Sequence, residues 1–126
     1  MSMNALASFY DEVVQLAPLL RTSTPSATST DLANVTENMF TVVCGALTDG
    51  TFTPKLQDSA DNSTFADVAA ADIVGTALVA LTANTRQSVS YIGSKRYVKF
   101  VVTVTGSPST GANVEAHATV KYRKQP

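Results

Sequence analysis

The sequence predicts an all-β fold, an antiparallel β-sandwich of jelly-roll-like character with an N-terminal arm or short helix. Three observations predict it. Valine and threonine, which suit a pleated and half-buried surface, are abundant. Apolar and polar residues alternate with the period of two that sends successive side chains to opposite faces of a strand. Clusters of turn residues break these runs roughly every eight to twelve positions, the spacing of a sandwich. A chain of 126 residues makes one domain. We divide it into an N-terminal arm or edge segment, residues 1–30, and a sandwich, residues 31–126.

Residues 4–10 read as a short helix or an arm. Residues 11–20 carry Val13, Val14, Leu16, Leu19 and Leu20 but are cut by Pro18, which cannot donate to a ladder. This makes an edge strand or two short pieces. Residues 21–31 are rich in Ser and Thr and read as an exposed loop or a weakly paired strand. Met39 to Cys44 reads as part of a buried strand that continues to Leu47. Asp49-Gly50 follows and predicts a hairpin, because that turn demands residues tolerant of positive φ. Phe52 and Leu56 share one face of the next strand, with Pro54 between them. Residues 58–64 form a polar turn, residues 67–72 a helical turn or loop, and residues 73–81 a Gly-interrupted apolar stretch.

Residues 86–92 alternate, with Val89 and Tyr91 on one side and Ser88, Ser90 and Ile92 on the other. A turn at residues 93–96 precedes the strongest strand, Tyr97 to Thr105, whose Val98, Phe100, Val102 and Val104 lie on one face. A Gly/Ser/Pro loop then leads to a last strand, Ala112 to Tyr122, with Val114, Ala116, Ala118, Val120 and Tyr122 in phase. Lys121, Arg123 and Lys124 make a basic end.

Composition narrows the function. Charged residues are 15% of the chain, against roughly 25% in an average soluble domain, which suits a protein with much of its outside covered. The net charge of −1 points to neither nucleic acid nor membrane. Residues 1–72 hold nine acids against two bases, and residues 73–126 hold seven bases against one acid. This asymmetry either marks complementarity towards a partner or disappears when strands from the two halves interleave. No stretch approaches the roughly 20 apolar residues of a spanning helix, and the first ten residues lack the pattern of a signal peptide.

The chemical inventory is thin. The single cysteine, Cys44, rules out an internal disulfide and reads as a buried structural thiol. The single histidine, His117, lies two residues from Glu115 on the polar side of the last strand, and this reads as a solvated pair before it reads as catalytic. One Cys and one His cannot build a structural zinc tetrad. Residues 58–63 offer oxygens to a calcium ion but lack the spacing of an EF-hand loop, and Asp and Asn favour turns for their own reasons. Lys95, Arg96 and Lys99, with Tyr91, Tyr97 and Phe100 nearby, are too few for nucleic acid, which takes about six or more phosphate contacts. They suit an acidic protein surface better. We expect no enzyme, no cofactor, no metal, no nucleic acid and no membrane.

Two stretches carry a resemblance. They are Leu47 to Gln57 with the following Asp58 to Val68, and Tyr91 to Lys99 running into a Val-rich strand. Together they resemble small proteins encoded among the structural genes of tailed bacteriophages, some of which look like head decoration, or cement, proteins with jelly-roll-like sandwiches. The resemblance covers residues 40–106 well and the first 35 poorly. Similar chains often carry a Gly- and His-rich ending, whereas this one ends Val120 to Pro126 without it.

The resemblance implies a virion protein on the capsid exterior, assembled in the host cytoplasm, that binds and bridges major capsid protein subunits and self-associates as a homodimer or homotrimer. Residues 1–30 are then the candidate arm, with Leu6, Phe9, Val13, Val14, Leu16 and Leu19 covered by a neighbour. The alternative is that these side chains pack on their own sandwich. The partner-binding candidates are Leu6, Phe9, Val13, Leu16, Lys95, Arg96, Lys121 and Arg123. Other readings are a tail or neck component of similar fold and a carbohydrate-binding adhesive module. The latter usually offers an exposed aromatic platform, and this chain has no Trp.

Overall fold

A computed structural model describes residues 10–123. It contains nine strands: β1 (Tyr10–Arg21), β2 (Thr30–Asp31), β3 (Val35–Leu47), β4 (Thr51–Ser59), β5 (Ala66–Asp67), β6 (Ile73–Val74), β7 (Thr85–Tyr91), β8 (Tyr97–Thr105) and β9 (Ala112–Tyr122). A 3-10 turn, Ala70–Asp72, precedes β6. The strands form two antiparallel sheets that pack as a sandwich, one ordered β1-β9-β3-β7-β6 and the other β2-β8-β4-β5. The helix or arm expected over residues 4–10 lies outside the described residues except for Tyr10, which begins β1.

The alternation of the sequence becomes the two walls of the core. Phe40, Val42 and Cys44 of β3 meet Phe52 and Leu56 of β4, Val98, Phe100 and Val102 of β8, and Ala112, Val114, Ala116 and Ala118 of β9. Phe40 and Phe100 pack edge to face, with ring centroids 6.3 Å apart. The alanines of β9 fit because that strand is central, paired on both sides, and faces the large rings of the other sheet. Burial raises the pKa of the Cys44 thiol, so it stays protonated and inert.

Pro54 sits where a sheet tolerates it. Phe52 O accepts from Leu81 N–H and Leu56 O from Val68 N–H, so those carbonyls point away from β8. Position 54 shares their phase, and its missing N–H faces the side that β5 covers only at Gln57 and Asp58.

The connection at Asp49-Gly50 differs from the hairpin expected of it. β3 and β4 belong to different sheets, so the turn crosses the sandwich instead of joining paired neighbours. Gly50 has the positive φ, 86°, that the dipeptide signals. Asp49 turns its carboxylate to the β8–β9 loop, where it accepts from the N–H groups of Ser109, Thr110 and Gly111. The same residue pair thus serves a tight crossover, whose local chemistry matches that of a hairpin.

Segment 10–21 is an edge strand of the sandwich. β1 pairs with β9 from Tyr10↔Lys121 to Arg21↔Ala112, with register shifts between Val14 and Leu16 and between Leu16 and Leu19. Gln15 occupies the first shift. Its side chain is buried and reaches the opposite sheet. Its Oε1 accepts from Phe100 N–H and its Nε2 donates to Val98 O and Thr30 Oγ1. β2 covers β8 only at Tyr97 and Val98, so the Gln15 amide extends the ladder along an otherwise short-changed edge.

Candidate protein interface

One ion pair joins the acidic and basic halves of the sequence, Arg96 with Asp31 through two 2.8 Å contacts, while Lys55 pairs with Asp67 inside the first half. The Arg96 guanidinium holds the Asp31 carboxyl below its ordinary range and also lies 5.2 Å from the Tyr97 ring centroid. Arg96 is therefore already committed within the chain. Lys95 is exposed in the β7–β8 turn, and Lys121 lies 5.8 Å from the Tyr10 ring centroid. Arg123 is exposed just past β9, its N–H donating to Asn34 O while Leu32 N–H donates to Arg96 O. The turn between β2 and β3 thus brings Arg96 and Arg123 to one end of the sandwich.

The apolar candidates divide. Leu6 and Phe9 lie outside the described residues. Leu16 is 2% exposed and packs in the chain's own core, so a partner reaches it only if β1 leaves the sheet. Val13 faces inward opposite Ala118 and is half-buried. The exposed members are Val14 and Leu19, joined by residues the sequence reading did not single out. Met39, read as part of a buried run, is 43% exposed. Its run alternates, and Met39 falls on the outer phase, opposite Thr119.

The exposed apolar residues are unevenly placed. Val14, Leu19, Leu20, Val74 and Ile92 are each more than half exposed. Among the described residues, every exposed large apolar side chain lies in a strand of the five-stranded sheet or in the segments flanking it, and none lies on β4 or β8. The outer face of the four-stranded sheet instead pairs Thr51 with Thr105 and Thr53 with Thr103, and then presents Lys55, Gln57 and Lys99. Two apolar patches result. One is the end of β1, where Ala17, Pro18, Leu19 and Leu20 are all exposed in succession. The other is Met39, Val74 and Ile92 at the opposite end of the sheet. An exposed run of this kind is an error in a fold unless something covers it.

The polar groups are largely spent on structure. His117 Nδ1 and Glu115 Oε1 lie 2.7 Å apart on the outer face, both partly buried. Thr41, opposite His117 in register, shares a hydrogen bond with Ser88. Asp61, in the loop weighed for calcium, accepts from Ser63 N–H, Thr64 N–H and Ser59 Oγ. These donors, the two N–H groups first, draw its pKa down to about 2. The turn chemistry occupies the carboxylate. Among the described residues no group of three or more His, Cys, Asp or Glu side chains is placed to hold a metal ion, and no helix is long and apolar enough to cross a membrane. An open surface groove of about 350 Å³ lies between β4 and residues 67–78.

The fold and surface define a class: a two-sheet antiparallel sandwich whose five-stranded sheet carries the exposed apolar side chains. No family model and no curated protein matches the chain. Among solved structures it is similar to the crystal structure of the SPBc2 prophage-derived protein YomS, with a TM-score of 0.51 and 17% sequence identity over 93% of this chain and 98% of that one. At that identity the likeness is one of fold.

Proposed function

We propose that this chain is a non-enzymatic structural protein of a tailed phage, a capsid decoration protein that binds and bridges major capsid protein subunits on the outside of the head. The observation that carries the reading is the exposed apolar run Ala17–Leu20 on the edge strand of a sandwich. The likeness in fold to a prophage-derived protein across nearly the whole chain supports the phage setting. A decoration protein needs a rigid body with one adhesive corner and a polar remainder that faces solvent. The end of β1 supplies the corner, and the Thr- and Lys-bearing face of the four-stranded sheet supplies the remainder. A single small contact is weak, but many identical contacts on one shell act together.

The test is cryo-electron microscopy of particles assembled with the full chain and with its Leu19→Glu/Leu20→Glu variant. Regular density at subunit seams of the outer capsid, lost with the variant, is the expected result. Density confined to the tail or neck would replace the head reading with the tail one. No particle association would overturn both.

A further inference from the structure

The apolar corner at the end of β1 is bordered by one charge. Arg21 is the one charged residue between positions 13 and 30, and it follows directly on the exposed run Ala17–Leu20. Its guanidinium folds back along the strand, where Nη2 donates to Ala17 O at 2.7 Å. The neighbouring Nε is shielded from water and has no acceptor. Arg21 takes part in no ion pair within 4.0 Å among the described residues, where the pairs are Lys55–Asp67, Arg96–Asp31 and His117–Glu115. Its ladder partner Ala112 and the next residue along, Asn113, are uncharged. The β8–β9 loop packs on the Arg21 carbonyl at Gly111. The carboxylate that reaches this loop, Asp49, is taken up by the N–H groups of Ser109, Thr110 and Gly111. A positive charge therefore stands at the rim of an apolar surface with no counter-ion among the described residues.

From this we infer that the surface this corner meets carries a carboxylate, an Asp or Glu side chain of the capsid subunit, set beside the apolar residues that cover Leu19 and Leu20. The inference rests on the capsid reading above and adds the chemistry of the partner. An arginine drawn into an apolar contact loses its water, and a charge buried without a counter-ion is costly. A carboxylate on the partner removes that cost and takes up the guanidinium N–H groups that Ala17 O leaves over. The bond to Ala17 O holds the side chain in place before the partner arrives, so less rotamer freedom is lost on binding. A second copy meeting corner to corner does not supply this chemistry. A two-fold contact brings the same patch of each copy together, which sets Arg21 against Arg21, and like charges oppose the contact.

The experiment is co-sedimentation of the full chain with heads that lack it, at low and high salt, for wild type, Arg21→Lys, Arg21→Gln and Arg21→Glu. A cryo-electron map of the decorated head accompanies it. Arg21→Gln should weaken binding roughly tenfold, and Arg21→Glu roughly a hundredfold or more, because two carboxylates then face each other. Arg21→Lys should fall between wild type and Arg21→Gln, since an ammonium keeps the charge but not the planar fork. Wild-type binding should weaken as salt rises, and Arg21→Gln should lose most of that dependence. A role confined to holding the Ala17 carbonyl would not move the salt dependence. Urea unfolding shows whether the variants remain folded. The map should place an Asp or Glu of the capsid subunit within hydrogen-bond reach of Arg21. Arg21→Gln and Arg21→Glu binding like wild type, while Leu19→Glu/Leu20→Glu does not bind, would overturn the inference and leave the capsid reading standing. A map with no carboxylate beside Arg21 would do the same. Pairing of the free chain through this corner, read by sedimentation equilibrium, would assign it to a second copy and also overturn the inference. Heads that take up no wild-type chain would overturn both.

Discussion

At the scale of single residues, a few side chains complete backbone ladders that the strands leave open. Gln15 supplies an acceptor for Phe100 N–H and a donor for Val98 O. Asn38 does the same for the N–H and C=O of Tyr91, and Gln87 for those of Val79. Gln15→Leu would keep the volume and leave two buried backbone groups unpaired. We expect a loss of about 3 kcal/mol of folding stability, read from urea unfolding. Gly111 is the second residue of this kind. Its φ is positive, and a Cβ there would collide with the carbonyl oxygen of Arg21. Gly111→Ala should cost roughly 2–4 kcal/mol in the same assay. Asp61 sets an acid limit. Its folded pKa of about 2 lies below the ordinary carboxylate value. Its contribution is complete above that ordinary value and is lost as the pH falls from about 4 towards 2. Thermal midpoints should fall across that window, and Asp61→Asn should reduce the fall.

At the scale of elements, β1 decides how the chain meets its surroundings. Two register shifts and Pro18 bend it away from simple ladder pairing, a common way of blunting an edge strand. The result is a strand whose middle, Gln15 and Leu16, is locked into the sandwich while its last third is apolar and bare. Leu19→Glu and Leu20→Glu change only that bare third. We expect each to shift folding stability by no more than about 0.5 kcal/mol while together they abolish binding to capsids, measured by co-sedimentation with particles. Loss of folding along with binding would mean that this end of β1 is structural. The basic residues of the C-terminal half belong to the element scale as well. Arg96 already faces Asp31 across two contacts, whereas Lys95 and Arg123 stand exposed.

At the scale of the whole molecule, the two sheets have unlike outer faces. One presents Thr51, Thr53, Lys55, Gln57, Lys99, Thr103 and Thr105 around Val101, and the other sets the exposed Val14, Met39 and Val74 among Glu12, Glu37, Glu115, His117 and Lys121. The two patches stand at opposite ends of the same rigid sheet. The end of β1 is the one we propose to meet the capsid.

The sequence by itself determined the positions of the long strands β3, β4, β7, β8 and β9, the core phase of β4, β7, β8 and β9, and the inert setting of Cys44. Alternation is a local property, and a period of two assigns each side chain to a face before any partner is known. The turn at Asp49-Gly50 was legible as a positive-φ turn, but its route across the sandwich was not. The same two residues serve either route, and only the pairing of β4 with β8 decides between them. The tertiary structure also decided that Leu16 is core while Leu19 is surface. That outcome depends on bulges in β1, which arise from its fit against β9. The row of Glu37, Lys121 and Tyr10 joins residues far apart in the chain. Register between strands is a non-local property, set by how the whole core packs, and no stretch of sequence carries it alone.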